Sequence, residues 1–117
     1  MKRSDNMEQI LAYIDAHPDK NITVGELAAL LDYSFYHFCH AFSSYTGVPV
    51  AAYLRRRRMA AAARDLLSGK SSVSVAAARG FQTLSGFAKA FRKHYGLSPS
   101  EYQKELADER FRIEPEF

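Results

Sequence analysis

Two phenylalanines four residues apart, closed by a glycine, occur twice in this chain: Phe38, Phe42 and Gly47, then Phe87, Phe91 and Gly96. An offset of 49 superposes all three pairs and also places Tyr53 on Tyr102. Ahead of the phenylalanines, Ala28 and Ala76 superpose at 48. The chain therefore reads as an internal duplication whose second copy has one extra residue in a turn. This restricts the fold more than composition does, because whatever one copy builds the other must build again.

Within each copy the periodicity is helical, and strand-like alternation is absent. Met7 to Ala16 puts Ile10, Leu11 and Ile14 on one face and stops before His17-Pro18. Thr23-Val24-Gly25-Glu26 has capping-box spacing, in which hydroxyl and carboxylate satisfy each other's backbone donors, and it opens a short helix carrying Leu27, Ala28, Leu30 and Leu31. The next helix begins near Ser34, buries Phe38 and Phe42, and closes at Gly47, where a left-handed residue suits the end of a helix. Pro49 precedes a long helix, from about Val50 to Leu67, with Met59, Ala62, Ala63 and Leu66 as its apolar stripe and Gly69 beyond it.

After Ser68 to Ser72 the pattern returns as a short helix (Val73 to Ala78), a turn at Gly80-Phe81, and a helix bearing Phe87 and Phe91. Ser98-Pro99-Ser100-Glu101 joins a capping box to a proline at the first helical position and announces a last helix that ends before the charged tail. The expectation is an all-α fold of about seven helices. It comprises an N-terminal helix-turn-helix subdomain (1–48), a linker helix (49–68), a C-terminal helix-turn-helix subdomain (69–107) and a charged tail (108–117).

Composition then narrows the function. With 117 residues the chain buries roughly two-thirds of its unfolded surface, enough for a compact core but not for a large cofactor enzyme. No apolar run approaches the roughly 20 residues a spanning helix needs, and the N-terminus lacks a signal-peptide core, so a cytoplasmic, nucleoid-associated location is expected. The single Cys39 supports neither a disulfide nor a multi-thiolate zinc site. His37, Cys39 and His40 do not converge on one ion at i, i+2 and i+3 of a helix, so no metal and no cofactor is expected. Gly69-Lys70-Ser71 lacks the preceding glycine of a phosphate-binding loop, and no supported catalytic constellation points to an enzyme.

Residues 1–100 carry 13 basic and 7 acidic groups, whereas residues 101–117 carry 3 basic and 6 acidic, so a basic body precedes an acidic tail. Such a body suits a polyanion. Arg55 to Arg58 form the densest basic run, but consecutive helical positions point in different directions. Most of them are expected on a solvated or salt-bridged face, with one or two near phosphate.

A short helix, a tight turn and a longer helix with aromatic residues on its inner side is how a helix-turn-helix unit must be built, leaving the outer side of the second helix free to enter a major groove. Pattern alone equally describes a small helical bundle. The stretch from Gly80-Phe81 through Phe87, Phe91, Arg92, Lys93 and Gly96 to Leu97-Ser98-Pro99-Ser100-Glu101-Tyr102 resembles the C-terminal signature of the AraC/XylS family of bacterial transcription regulators. Tyr53-Leu54-Arg55-Arg56-Arg57-Arg58-Met59, with Ala62 and Leu66, resembles that family's linker helix, and the likeness covers about residues 6 to 107.

The resemblance implies two recognition helices in adjacent major grooves on one face of double-stranded DNA, roughly 34 Å apart, with the linker helix as spacer. It implies binding as a monomer unless a further domain is missing, and an activator that also touches RNA polymerase; the missing apolar run leaves no membrane partner expected. By position, the base-reading residues are Tyr36, Cys39 and His40 in the first helix and Ser85, Gly86 and Lys89 in the second. Ser34, His37, Ser43, Arg56, Thr83, Arg92 and Lys93 are expected at phosphates.

The first helix departs from the family, which commonly has arginine where His40 stands and lysine near Ser43 and Ser44. Bidentate reading of guanine by a guanidinium is therefore missing there. In the second helix Lys89 replaces a frequent arginine, and Gly86 a larger residue. The same side chains also read as ordinary surface, and a helical protein-interaction module with little DNA readout is the competing function. The tail has only Phe111, Ile113 and Phe117 to bury, which suggests a fragment of a longer regulator with a ligand-sensing domain. A cysteine-rich, methyl-accepting repair module is excluded by the lone Cys39.

Overall fold

The computed structural model describes the backbone of residues 3–113 and the side chains of residues 6–106. The element order is α1 (Arg3–Ala16), α2 (Val24–Leu30), α3 (Phe35–Thr46), α4 (Val50–Leu67), α5 (Ser72–Ala78), α6 (Leu84–Tyr95) and α7 (Pro99–Ile113). There is no strand among the described residues. The chain divides into two compact units, Met1–Arg57 and Arg58–Phe117, so the boundary falls within α4.

The duplication is visible element by element. Hydroxyls start the four helices of the paired units: Thr23 Oγ1 accepts from the Glu26 N–H, Ser34 Oγ from His37, Ser71 Oγ from Ser74 and Thr83 Oγ1 from Gly86, at 2.9–3.2 Å. Each hydroxyl satisfies one of the backbone donors that a helix start leaves without an intrahelical partner. Gly47 (φ +81°) and Gly96 (φ +82°) end α3 and α6, and their N–H groups donate to Ser43 O and Arg92 O. That left-handed conformation is cheap only without a Cβ.

Between α2 and α3 the chain turns through Asp32-Tyr33, whereas between α5 and α6 it uses Gly80-Phe81-Gln82, which accounts for the extra residue. Both turns are closed by the same bond, Tyr33 N–H to Ala28 O and Phe81 N–H to Ala76 O, each 2.9 Å. Asp32 takes a left-handed φ of 58° where the second copy has Gly80 at 83°. A short polar side chain tolerates that conformation better than most, though at some cost.

In the first unit, Met7, Ile10 and Ile14 of α1, Leu27 of α2, Phe38 and Phe42 of α3, and Val50 and Leu54 of α4 make one buried cluster. In the second, Met59, Ala62 and Leu66 of α4 close over Val75, Phe87 and Phe91. Tyr53 packs on Phe42 with ring centroids 5.5 Å apart, and Tyr102 on Phe91 at 5.1 Å, so the equivalence extends to the aromatic that follows each unit. Burial pushes the Tyr95 hydroxyl pKa up, with the neighbouring Tyr102 adding to the shift. At about 1.5–3 kcal/mol for each fully buried large side chain, these clusters fix α3 and α6 by their inner faces.

Polar groups tie the long helix into each unit. Arg57 donates to Lys20 O at 3.0 Å, to Ile14 O at 3.1 Å and to His17 O, holding the carbonyls at the end of α1 and of the loop after it. Arg58 lies over the Phe81 ring, 5.6 Å from its centroid. Asp65 and Arg79, both buried, are joined Nε to Oδ2 at 2.9 Å, and Gln103 Nε2 donates to Leu66 O and Lys70 O at the end of α4.

At the C-terminus the expected boundary moves. The Ser98-Glu101 capping box is complete in both directions, at 2.9 and 3.1 Å, but α7 runs on to Ile113, six residues into the segment expected to be tail. Residues 114–117 of that tail lie outside the described residues.

Candidate nucleic-acid interface

Each second helix buries its phenylalanine pair completely, so the opposite side is exposed by construction. On α3 that side bears Tyr36, 81% exposed, with His40 one turn later and Ser44 beyond it. The exposed His37 ring stacks on Tyr33, centroids 4.1 Å apart and planes 13° from parallel, which orients it along the turn. Ser34 is exposed, and because its Oγ accepts the capping bond its own proton stays available to a phosphate.

Two of the first-helix expectations change on inspection. Cys39 is half-buried and packed against the first core, on the side of α3 that faces Val24 and Val50. Ser43 is also half-buried, and its hydroxyl donates to His40 O at 3.2 Å within the helix, so its one proton is engaged. Arg56 is exposed on α4, as is Arg55, whereas Arg57 and Arg58 have the structural partners given above.

On α6, Ser85, Gly86, Lys89, Arg92 and Lys93 are all exposed, and Thr83 caps the helix as Ser34 caps α3. Gly86 sits close against its own cap. A Cβ there would lie 3.0 Å from Thr83 Oγ1, so a larger residue would require the Thr83 side chain to shift by a few tenths of an ångström. The last turn carries Arg92, Lys93 and His94, whereas α3 has no Lys or Arg at all. The units differ accordingly: residues 1–57 hold six basic and six acidic side chains, and residues 58–117 hold ten and seven.

Sequence reasoning missed a groove beside α3. It encloses about 390 Å³, and its lining runs from Val24 through Phe35, Tyr36, Cys39 and His40 to Pro49 and Val50. Three elements contribute, so no spacing within one of them announces it. Phe35 is 61% exposed at the groove and Leu84 is 45% exposed at the start of α6. Among the described residues no three His, Cys, Asp or Glu side chains gather where one ion could be held. Nor is any helix among them long and apolar enough to cross a membrane.

A family model described as a helix-turn-helix domain matches residues 27–105, which take in the capped helices α3 and α6 and the long helix between them. The chain belongs to the AraC family of bacterial transcription regulators. What it folds into is that family's DNA-binding domain.

Among curated AraC-type relatives, it is 35% identical over 102 residues to the regulatory protein PocR of Salmonella typhimurium, covering 86% of this chain and 33% of that protein. It is 29% identical over 102 residues to the HTH-type transcriptional activator AarP of Providencia stuartii, covering 86% of this chain and 76% of that one. Among solved structures, the DNA-binding domain of AdpA in complex with a target DNA superposes with a TM-score of 0.76 at 28% identity, covering 89% of this chain and 95% of that one. The chain thus spans about a third of PocR and about three-quarters of AarP.

Proposed function

We propose that this domain reads a specific DNA sequence with α3 and α6, each entering a major groove, and that it activates transcription. The observation that carries the reading is the pair of capped helices whose inner faces are fully buried phenylalanines and whose outer faces are left to solvent, one with Tyr36 and His40, the other with Lys89, Arg92 and Lys93. Tyr36, His40, Ser85 and Lys89 are the base-reading residues on this account. Ser34, His37, Arg56, Thr83, Arg92 and Lys93 meet phosphates, which fix register without carrying sequence information.

The name of AarP supports activation, and contact with RNA polymerase follows from that role. The domain binds as a monomer, because two reading helices in one chain make a two-part site without a symmetric partner. It works in the cytoplasm and performs no catalysis.

Duplexes enriched from a random pool, then titrated at 50 and 200 mM salt, test the reading. It expects binding to the enriched sequence at least about 10³-fold tighter than to a scrambled duplex, with a steep salt dependence for both. Equal affinity for the two sequences would instead favour a protein-interaction module.

A further inference from the structure

Phe35 is the first residue of α3, directly after its Ser34 cap, and it is 61% exposed. With the still more exposed Tyr36 beside it, two aromatic rings stand in solvent at the head of a helix that has no Lys or Arg. Single exposed apolar side chains are ordinary, but these two border the groove that takes in Val24, Cys39 and Val50. Tyr36 and His40 belong both to that groove and to the side of α3 assigned above to DNA, so the groove continues the reading surface.

The duplication allows a comparison within the chain. Carried over by the offsets of 48 and 49, the same positions of the second unit hold Ser72 for Val24, Lys89 for His40, Arg92 for Ser43 and Ser100 for Ala51. Lys89, Arg92 and Ser100 are exposed, so that flank of α6 suits phosphate oxygens. The matching flank of α3 offers them no Lys or Arg, and the Ser43 proton already goes to His40 O. Two copies of one unit have therefore diverged at the same surface, one toward charge and one toward carbon.

An apolar surface finds little in a major groove that suits it. Base edges there are hydrogen-bond donors and acceptors, with the C5 methyl group of thymine as the apolar exception, and side chains such as Phe read it by contact. The N-terminal residues of a recognition helix are the ones that reach base edges, and Phe35 and Tyr36 stand there.

We infer that Phe35 is a specificity-determining residue: with Tyr36 and the groove behind them it takes a thymine methyl group, so the first half-site is read for thymine by apolar contact while the second is read through charge. The inference rests on α3 reading DNA as proposed above, and it adds a residue and a chemistry which that reading leaves out. Leu84 holds the position of Phe35 on α6 and is 45% exposed, but it stands beside Ser85 with Lys89 one turn on, in polar and basic surroundings.

Uracil differs from thymine by this methyl group alone, so replacing one by the other removes the contact and keeps the base pair. The test uses the whole chain and a duplex enriched from a random pool, with each thymine replaced singly by uracil and a scrambled duplex alongside. At one or two neighbouring thymines of one half-site the replacement should weaken binding about fourfold, as for one buried carbon group, and elsewhere by less than about 1.5-fold. Phe35→Ala should bring the sensitive positions below about 1.5-fold, Phe35→Leu should keep most of the effect, and Leu84→Ala should leave it in place. Each replacement trims an exposed side chain, so circular dichroism and the melting temperature should stay close to the wild type.

A scan in which no uracil weakens the wild type gives the groove to an occupant other than DNA, such as a small apolar molecule or a second copy. That result overturns the inference and leaves the proposed function standing. So does a methyl effect that survives Phe35→Ala, or one of equal size in both half-sites. Equal affinity for the enriched and scrambled duplexes overturns both.

Discussion

Removing the Asp65 carboxylate tests whether the second unit is held together as described. Asp65 on α4 and Arg79 at the end of α5 are 9% and 6% exposed, and Nε and Oδ2 are 2.9 Å apart. Lys70 also approaches Asp65, at 3.7 Å, but its side chain is 61% exposed and the contact is long, so it adds little. Breaking a buried pair from one side leaves a charge in a poorly solvated place, which costs about 3–5 kcal/mol, far more than the pair itself contributes relative to apolar residues of similar volume.

For Asp65→Ala the lower end of that range, about 3 kcal/mol, is expected. At about 4–8 °C per kcal/mol for a domain of this size, the melting temperature should fall by about 12 °C or more. The double replacement of Asp65 by Leu and Arg79 by Met should lose no more than about 1 kcal/mol. Thermal and urea unfolding of the wild type, Asp65→Leu, Arg79→Met and the double variant complete a thermodynamic cycle. Should the single variants each cost under about 1 kcal/mol, or the double variant equal the sum of the singles, the reasoning fails.

Asp32→Gly should stabilise the protein by about 0.5–1 kcal/mol, because the left-handed φ of 58° is held by a residue with a Cβ, and Asp32→Val should destabilise it by more than that; urea midpoints decide. Lys89→Ala should relax preference at one or two base pairs by about 1–3 kcal/mol, whereas Arg92→Ala should weaken all duplexes alike and reduce the salt slope by about 1; equal losses on enriched and scrambled duplexes for both variants would refute that division. Hydrogen bonds from Lys20 and Tyr13 hold the Glu26 carboxyl below its usual range, and the Ser98 backbone N–H and hydroxyl do the same for Glu101. A carboxyl depressed in the folded state contributes stability above the unfolded carboxylate range and loses it as pH falls through the folded value. The double variant of Glu26→Gln and Glu101→Gln should therefore lose less stability than the wild type between pH 6 and pH 3, as followed by urea unfolding.

What could be read from the chain was what is local. A hydroxyl three residues ahead of its N–H partner marks a helix start, a glycine with room for positive φ marks an end, and Val50–Leu67 stood between Pro49 and Gly69. The duplication was equally legible, since a repeat shows itself by comparison within the sequence. The end of α7 was not, because Glu, Lys, Arg and Ala are good helix formers that also look like solvated tail, and nothing before Ile113 forces a stop. Arg57 and Arg58 could not be told from Arg55 and Arg56 by type, because which of four adjacent arginines finds carbonyls or a ring depends on how α4 packs.

The same limit applied to the candidate interface. Outward positions of α3 and α6 follow from the phenylalanine phase, which placed Tyr36, His40, Ser85 and Lys89 correctly on exposed sides. Cys39 and Ser43 stand at the edge of that phase, where a rotation of a few tens of degrees decides between solvent and core. The groove and the Asp65–Arg79 pair bring together residues from separate elements, and no single stretch of sequence encodes either.

The central claim is that both helices read bases. Missing-base interference on the enriched duplex tests it most directly: single bases are removed at random, and the free and bound populations are compared. The account predicts two separate clusters of positions whose loss weakens binding, one of which disappears when Tyr36 and His40 are both changed to alanine while the other fades with Lys89→Ala. A single cluster untouched by the α3 replacement, or interference spread evenly along the duplex, would contradict it.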